Sequence, residues 1–280
     1  MPELPEVETI RRQLQPLVAG RRVLTAGSHE SARFTPAGLV PPATIAGIGR
    51  RGKYLLVGLD GGRELVVHLG MTGSLRLRPA DDGADGPSDP YVRAWWHLEG
   101  GLTLELRDVR RFGRIAVVPA GQHDALPTLR ALGPEPFDPA FTATSLHAGL
   151  GRSRARVKTQ LLGQRVVAGV GNIYADEALW HAGIDPGARR VGRAAAGRLH
   201  AALRDVLAAG IANGGTTFRD YRDATGGAGR NQSALRCYGR AGLPCSRCGG
   251  RLERRVLDGR GTTWCPACQG GRRRASRAGT

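Results

Sequence analysis

The first residues able to do chemistry stand at the amino end, Met1-Pro2-Glu3-Leu4-Pro5-Glu6-Val7-Glu8. A small residue at position two permits removal of the initiator methionine, and Pro2 would then carry a free secondary amine. Such an amine attacks a carbonyl-like carbon and leaves an iminium, the bond-making half of Schiff-base catalysis. A terminal α-amino group titrates near about 7.7–8.0, against about 10.4 for lysine. Even with the more basic proline ring, far more of it is neutral at pH 7. Glu3 and Glu6 lie one residue and one turn away, placed to shuttle protons. The same residues also suit an ordinary helix start, where proline and acids favour the first turn. These eight positions alone leave both readings open.

A second group of reactive side chains lies near the other end. Cys245-Ser246-Arg247-Cys248 and Cys265-Pro266-Ala267-Cys268 form two C-x-x-C knuckles separated by sixteen residues. Four thiolates at this spacing can close a tetrahedral shell around one zinc ion. A redox pair would need only one knuckle, and a disulfide framework does not suit a reducing compartment. With every position filled by protein, the metal has no vacancy for water or substrate, so it folds a hairpin and does no chemistry. Cys237 is left over as a packed thiol. Arg251, Arg254, Arg255 and Arg260 lie between the knuckles, so the hairpin reads as a rigid arm presenting arginine to phosphate.

The charge of the whole chain agrees with that use. Across 280 residues the formal net charge is +17 and the isoelectric point about 11.1, which favours a polyanionic partner. No basic amphipathic helix carries bulky apolar residues opposite its charge, so nucleic acid is a better match than a membrane surface. No membrane-length apolar run and no secretory leader are visible, which points to the cytoplasm. Of 41 basic residues only Lys53 and Lys158 are lysine. Arginine and lysine differ where a compact ammonium or a transferable proton is required, so these two positions stand out.

The elements that must position these groups follow from periodicity. Residues 3–18 read as a helix with Leu4, Val7, Ile10, Leu14 and Leu17 near helical spacing. Short Val/Ile/Leu runs then recur at 43–48, 54–59, 64–69, 74–77, 94–98, 102–107 and 114–118, separated by glycine and proline, which suggests a β-sandwich or barrel. Pro79–Pro90 is acidic and rich in Gly, Asp and Pro, and reads as a mobile loop. Gly133-Pro134-Glu135-Pro136 marks a boundary, after which helices are expected at 142–150, 154–163, 173–182 and 192–212. A Cys-rich β segment runs from Tyr238 to Gln269, and 271–280, with four arginines, reads as a disordered tail.

Taken together the motifs resemble the bacterial formamidopyrimidine-DNA glycosylases. The resemblance is carried by Pro2 to Glu8, Gly52-Lys53-Tyr54-Leu55, His68-Leu69-Gly70-Met71-Thr72-Gly73-Ser74-Leu75, Arg110-Arg111-Phe112-Gly113, Leu132-Gly133-Pro134-Glu135-Pro136, Gly169-Val170-Gly171-Asn172-Ile173-Tyr174-Ala175-Asp176-Glu177, and the zinc segment from Tyr238 to Gln269. They run in family order over nearly the whole chain. The resemblance implies an α+β multidomain fold: an N-terminal β-sandwich with an N-terminal helix (1–133), a helix-two-turn-helix domain (137–236), a β-hairpin zinc finger (237–270) and a basic tail (271–280). It implies a monomer acting on duplex DNA that holds a damaged base or an abasic site, at the bacterial nucleoid, with one structural zinc and no organic cofactor.

The family chemistry implied is extrusion of the damaged nucleotide and attack of the Pro2 nitrogen on C1′, then β- and δ-elimination. By resemblance Glu3 protonates the opening sugar and Glu6 supports this network. Lys53 meets phosphate and donates a proton in β-elimination, and Arg260 grips phosphate for δ-elimination. Lys158, Asn172, Arg154 and Tyr91 fall at DNA-contacting positions. Met71 and Phe112 fill the void left by the extruded base, with Arg110 pairing to the orphaned partner. Cys245, Cys248, Cys265 and Cys268 are the zinc ligands.

Three positions depart from the family pattern. Asp108-Val109-Arg110 replaces Asp-Pro-Arg, Tyr91 stands where histidine is common, and the lesion loop reads Thr225-Gly226-Gly227-Ala228-Gly229-Arg230-Asn231-Gln232-Ser233. Relatives often place aromatic residues at the positions of Arg230 and Asn231. Two alternatives therefore stay open at this point: the same chemistry on oxidised pyrimidines, as in the endonuclease VIII branch, and a non-catalytic protein that binds damaged DNA.

Overall fold

Leu4, Val7, Ile10, Leu14 and Val18 are all fully buried, and this stripe makes Leu4–Val18 the helix α1. Leu17, expected in the stripe, is 44% exposed, because Val18 is the residue four positions beyond Leu14 and takes the inward place. The computed structural model describes residues 1–80 and 87–270. Most of the acidic stretch between Pro79 and Pro90 and all of the basic tail, 271–280, lie outside the described residues.

After α1 come the strands β1 (Arg22–Ser28), β2 (Ala43–Arg51), β3 (Tyr54–Leu59), β4 (Arg63–His68), β5 (Gly73–Pro79), β6 (Val92–Leu98), β7 (Leu102–Asp108) and β8 (Arg114–Pro119), then the short helix α2 (Pro127–Arg130). Their order is β5-β7-β6-β1-β2-β3-β4-β8, antiparallel throughout. The two four-stranded halves are joined by only two paired positions, Arg22 with Thr44 and Val23 with Ala43. Both halves and α1 give residues to one core: Leu75, Ala94, Trp96 and Leu106 from one, Ile45, Leu55, Val67 and Ile115 from the other. The expected sandwich is thus two layers of one continuous sheet. β1 was not anticipated, and the reason is local: only Val23 of its seven residues is buried, so it lacks the alternation that marks a strand.

The chain divides into two compact units, Met1–Arg130 with Gly210–Gln232, and Ala131–Ala209 with the chain from Ser233 onward. Segment 210–232, which the sequence groups with the helical domain, therefore belongs to the first unit, and its Tyr221 and Ala224 are part of the first core. The second unit holds α3 (Ala143–Gly151), α4 (Val157–Leu162), α5 (Asn172–Ala182), most of α6 (Arg193–Ala212), the hairpin β9 (Glu253–Leu257) and β10 (Arg260–Trp264), and α7 (Pro266–Gln269). Thr142 caps α3 by accepting from Ser145 N at 3.0 Å, and Ser145 Oγ accepts from Thr142 N at 2.9 Å. α5 ends at Gly183 in the left-handed conformation. No described helix is long and apolar enough to cross a membrane.

One charged cluster fastens α1 to the sheet. Glu8 accepts from Arg11 at 3.0 Å, Arg12 at 2.7 Å and Arg50 of β2 at 3.0 Å. Burial pushes this carboxyl up, but the three guanidiniums outweigh it and hold the carboxyl at about 2. A depressed carboxyl stabilises the fold above its ordinary value near 4.5, and that contribution is lost as pH falls through about 2. Glu8→Gln is expected to cost about 1–2 kcal/mol at pH 7, after discounting for solvent screening. Urea melts of both proteins between pH 7 and 2 should converge in acid, and a gap that stayed constant would refute the charge argument.

Candidate active site and metal centre

In the first unit the site begins at the first turn of α1. Pro2 is buried, and Glu3 and Glu6 are 2% and 1% exposed. Glu3 takes an extended backbone before the helix, and its N–H donates to Glu6 Oε2 at 2.8 Å. The other oxygen of that carboxylate, Oε1, accepts from Thr216 N at 2.7 Å. Glu6 thus closes the open N–H end of the helix and also holds segment 210–232. Gly215, with φ +85°, passes so close that a Cβ there would lie 2.9 Å from Glu6 Cγ.

Lys53 sits in the two-residue turn between β2 and β3, where Gly52 supplies the positive φ of 55°. It is 3% exposed. Burial, then the charges of Lys53 and Arg114, hold His68 down at about 4, so its ring is neutral at pH 7. Nδ1 of that ring accepts from Gly70 N at 3.2 Å, and the ring packs on Tyr54 with centroids 4.7 Å apart. His68 leads directly into the Met71 turn.

The expected void-filling side chains are large apolar groups left out of the core. Met71 is 37% and Phe112 42% exposed, and the Arg110 guanidinium lies 4.9 Å over the Phe112 ring. Their two turns are knitted together by a residue that sequence reasoning did not single out. Asp108 is 0% exposed and accepts from Thr72 Oγ1 at 2.5 Å and from Gly113 N at 2.6 Å. Thr72 Oγ1 in turn accepts from Arg110 N at 3.1 Å. Gly70 is required here, since a Cβ would meet Gly113 N at 2.5 Å. The loop that lacks the family proline at Val109 is therefore held by a buried carboxylate. Tyr91 is 41% exposed beneath Arg107, whose guanidinium is 5.0 Å from the ring.

The residues expected in the lesion loop divide into two sets. Thr225 and Arg230 are exposed. Asn231 is buried, donating to Thr216 Oγ1 at 3.0 Å and accepting from Asn213 Nδ2 at 3.0 Å. Gly229 is buried where a Cβ would stand 2.2 Å from Gly215 O. Asn231 and Gly229 thus form the base of the loop. They are packed on 213–217 and do not face outward.

In the second unit, Lys158 is 1% exposed: its Nζ reaches Asp176 Oδ1 at 2.6 Å, Gly261 O at 3.0 Å and Thr262 Oγ1 at 2.9 Å. A phosphate-gripping lysine was expected, but the ammonium lies in an internal ion pair. Burial pushes Asp176 up to about 6 against the pull of Lys158. Asp176 Oδ2 accepts from Thr263 N at 2.8 Å, and Asn172 Nδ2 donates to the same Gly261 carbonyl at 3.1 Å. Glu177 accepts from the backbone N–H of Arg236, Cys237 and Tyr238. Helix α5 therefore grips β10 directly beside Arg260, which is exposed. The signal for Asp176 and Glu177 was present in the sequence as two adjacent acids inside an otherwise largely apolar helical segment, Asn172–Ala182. Arg154 is exposed and lines an open cavity of about 470 Å³ with Arg189, Arg190 and His147, without a carboxylate in its wall.

The four knuckle cysteines meet. Their Sγ atoms all lie within 4.8 Å of one another, with Cys248–Cys265 at 3.5 Å and Cys245–Cys268 at 4.0 Å. These separations match the edge of about 3.8 Å that Zn–S bonds of about 2.3 Å give a tetrahedron, and are far beyond a disulfide bond. Trp180 Nε1 donates to Cys245 Sγ at 3.4 Å, and Arg247 stacks 4.3 Å over that indole, so the thiolate charge has partners outside the shell. Cys237 takes no part: its Sγ lies 3.1 Å from Thr263 O.

Comparison with known proteins agrees with this geometry. Residues 1–115 match the formamidopyrimidine-DNA glycosylase N-terminal domain, 132–222 the formamidopyrimidine-DNA glycosylase H2TH domain, and 242–270 the zinc finger found in FPG and IleRS. A formamidopyrimidine-DNA glycosylase of Thermus thermophilus is 47% identical over 274 residues, spanning 96% of this chain and 99% of its own.

The chain belongs to the formamidopyrimidine-DNA glycosylase family.

The crystal structure of the MutM (Fpg) protein from Thermus thermophilus superposes with a TM-score of 0.87 at 47% identity, covering 96% of this chain and 99% of that one. The Lactococcus lactis Fpg, solved with DNA containing an abasic site, superposes with a TM-score of 0.86 at 33% identity, covering 95% and 99%. The zinc finger match and the four converging thiols assign one structural zinc to Cys245, Cys248, Cys265 and Cys268.

Two measurements check the second unit. Cys248→Ser, or chelation of the native protein, is expected to release one zinc per chain and melt the hairpin. Metal analysis beside near-UV dichroism at Trp180 and Trp264 reads both, and an unchanged spectrum after zinc loss would refute the assignment. Lys158→Met leaves Asp176 buried without its cation and is expected to cost about 3 kcal/mol in denaturant melts. A cost below about 1 kcal/mol would mean that the pair is solvated.

Proposed function

We propose that this chain is a bifunctional DNA glycosylase and abasic-site lyase of base excision repair that removes oxidised purines, 8-oxoguanine and formamidopyrimidines, from duplex DNA. The observation that carries the reading is the N-terminal turn. Pro2 precedes a helix whose Glu6 fixes the Glu3 backbone, in a chain alike over its full length to enzymes of that name. Enzymes that act on a base must first take it out of the stack, and the +17 charge suits the phosphate contacts this needs.

In this mechanism the Pro2 nitrogen, freed by removal of Met1, bonds to C1′ of the everted nucleotide as the base leaves. Glu3 protonates the sugar oxygen so that the ring opens to an iminium. The iminium acidifies the C2′ proton, whose removal expels the 3′ phosphate, and a second elimination expels the 5′ phosphate. Lys53 serves as the proton donor in the first elimination, and Arg260 holds phosphate for the second. Glu6 acts through its hold on the Glu3 backbone. Met71 and Phe112 enter the gap and Arg110 pairs with the orphaned base. Arg154, Tyr91 and Asn172 contact the backbone, while Lys158 acts from inside by fixing the strand of Arg260. The exposed Thr225 and Arg230 face the lesion, with Gly229 and Asn231 supporting them.

We assign 1–133 as the catalytic domain, completed by segment 210–232, the rest of 137–236 as the helix-two-turn-helix domain, 237–270 as the zinc finger and 271–280 as a basic tail. The protein works as a cytoplasmic monomer at the nucleoid.

Borohydride trapping on 8-oxoguanine duplex tests the reading: wild type gives a covalent adduct, and Pro2→Gly lowers its yield at least about 100-fold. No wild-type adduct, or equal yields, would overturn it. Intact mass must show loss of Met1, since a retained methionine acylates the nucleophile. Parallel cleavage of 8-oxoguanine, formamidopyrimidine and thymine-glycol duplexes is expected to favour the two purines, and preference for thymine glycol would reverse the substrate assignment.

A further inference from the structure

Segment 210–232 is fastened to α1 at two levels. The lower anchor is Glu6, which accepts from Thr216 N, helped by Tyr221 Oη at 3.4 Å from the Glu6 carbonyl. The upper anchor lies seven residues on, two turns along the same face, at Gln13. Its Nε2 donates to Asp223 Oδ2 at 2.9 Å, and its Oε1 accepts from Ala224 N at 3.0 Å. Asp223 spends its other oxygen inside the loop, where Oδ1 accepts from Thr225 N at 3.0 Å, Thr225 Oγ1 at 2.9 Å and Gly227 N at 2.7 Å. Its carboxyl is held below the usual range; burial raises it, but the Gln13 and Thr225 hydrogen bonds prevail.

One carboxylate therefore shapes the 223–227 turn and joins it to the helix that begins at Pro2. The turn forms one wall of an open cavity of about 380 Å³ whose other wall is Thr72, Ser74, Arg76 and Arg107. Thr72 belongs to the Met71 turn through Asp108. The cavity thus has one wall tied to α1 and the other to the void-filling turn.

We infer that Gln13 and Asp223 form a specificity-determining latch that sets the loop at a fixed height on α1, so that an everted damaged base is held while Pro2 attacks C1′. They are positioning residues: neither touches the reacting atoms. The inference rests on the glycosylase reading and deepens it. An abasic site has no base to hold, so the latch acts on base excision and leaves abasic-site cleavage untouched.

The donor–acceptor pattern gives a sharp test. Asp223→Asn sets two amide donors facing each other. Gln13 cannot turn over to relieve this, because its oxygen already serves Ala224 N. Gln13→Glu instead sets two carboxylates together. In the double variant the pattern is restored with reversed polarity, the new carboxylate accepting from both the new amide and Ala224 N. Each single variant is expected to lower kcat/KM on 8-oxoguanine duplex about 10-fold, the worth of one or two positioned hydrogen bonds. Cleavage of abasic-site duplex should stay within about 2-fold, and the double variant should recover most of the loss. Gln13→Glu should also recover partly at pH 5–6, where the paired carboxylates share a proton.

Equal losses on both substrates would make the pair a mere fold support, and no loss on either would make it idle; each result overturns the latch. Failure of the underlying reading looks different, as wild type itself would then leave the 8-oxoguanine duplex uncut, whether or not it cleaves the abasic one, and the latch falls with it.

Discussion

A single buried carboxylate sets the geometry of the first unit. Glu6 is 1% exposed, and its two oxygens serve two backbone N–H groups from distant parts of the chain, Glu3 at 2.8 Å and Thr216 at 2.7 Å. A carboxylate taken out of water is costly unless each oxygen is satisfied by a donor. Any rearrangement that freed either N–H would leave a charge stranded in the core. The start of α1 and the return of segment 210–232 are consequently fixed by the same group. Pro2, Glu3 and Gly215 take their places around it, and the proposed chemistry of the amino end inherits that rigidity.

The second unit uses the same device with the charges paired. Lys158, Asp176 and Glu177 are all nearly inaccessible, and together they satisfy backbone groups at Arg236, Cys237, Tyr238, Gly261 and Thr263. Half-satisfied buried networks are destabilising, while a complete one permits a single arrangement. The hairpin β9–β10 is too short to carry a core of its own, so its order comes from this network on one side and from zinc at the knuckles on the other. Between these two restraints stands Arg260, exposed at the start of β10.

Much of this was legible in the sequence, and the parts that were not share a cause. α1, seven of the eight sheet strands and the four helices expected in the second half follow directly from hydrophobic period. The cysteine knuckles need only spacing. β1 escaped because it has one buried residue, and Val18 was passed over for Leu17 because both lie near the apolar stripe. Lys158 was correctly singled out as unusual, yet its surroundings could not be read, since a lysine in an internal ion pair and one gripping phosphate look alike in one dimension. The same holds for Asn231: its type suggests an exposed loop, whereas Thr216 and Asn213 take its amide into the interior.

The sequence by itself determined the elements other than β1, the family and the metal site, because each depends on residues close together along the chain or on ordered motifs whose spacing survives folding. Tertiary structure alone decided which polar groups face inward. Asp108 became the tie between the Met71 and Phe112 turns, Glu6 the anchor of segment 210–232, and Gln13 the partner of Asp223, which is 210 positions away. The physical reason is that a hydrogen bond is strong only when its donor and acceptor converge at about 3 Å with both desolvated. Periodicity tells which face of a helix is buried, but not which distant backbone N–H will be waiting there.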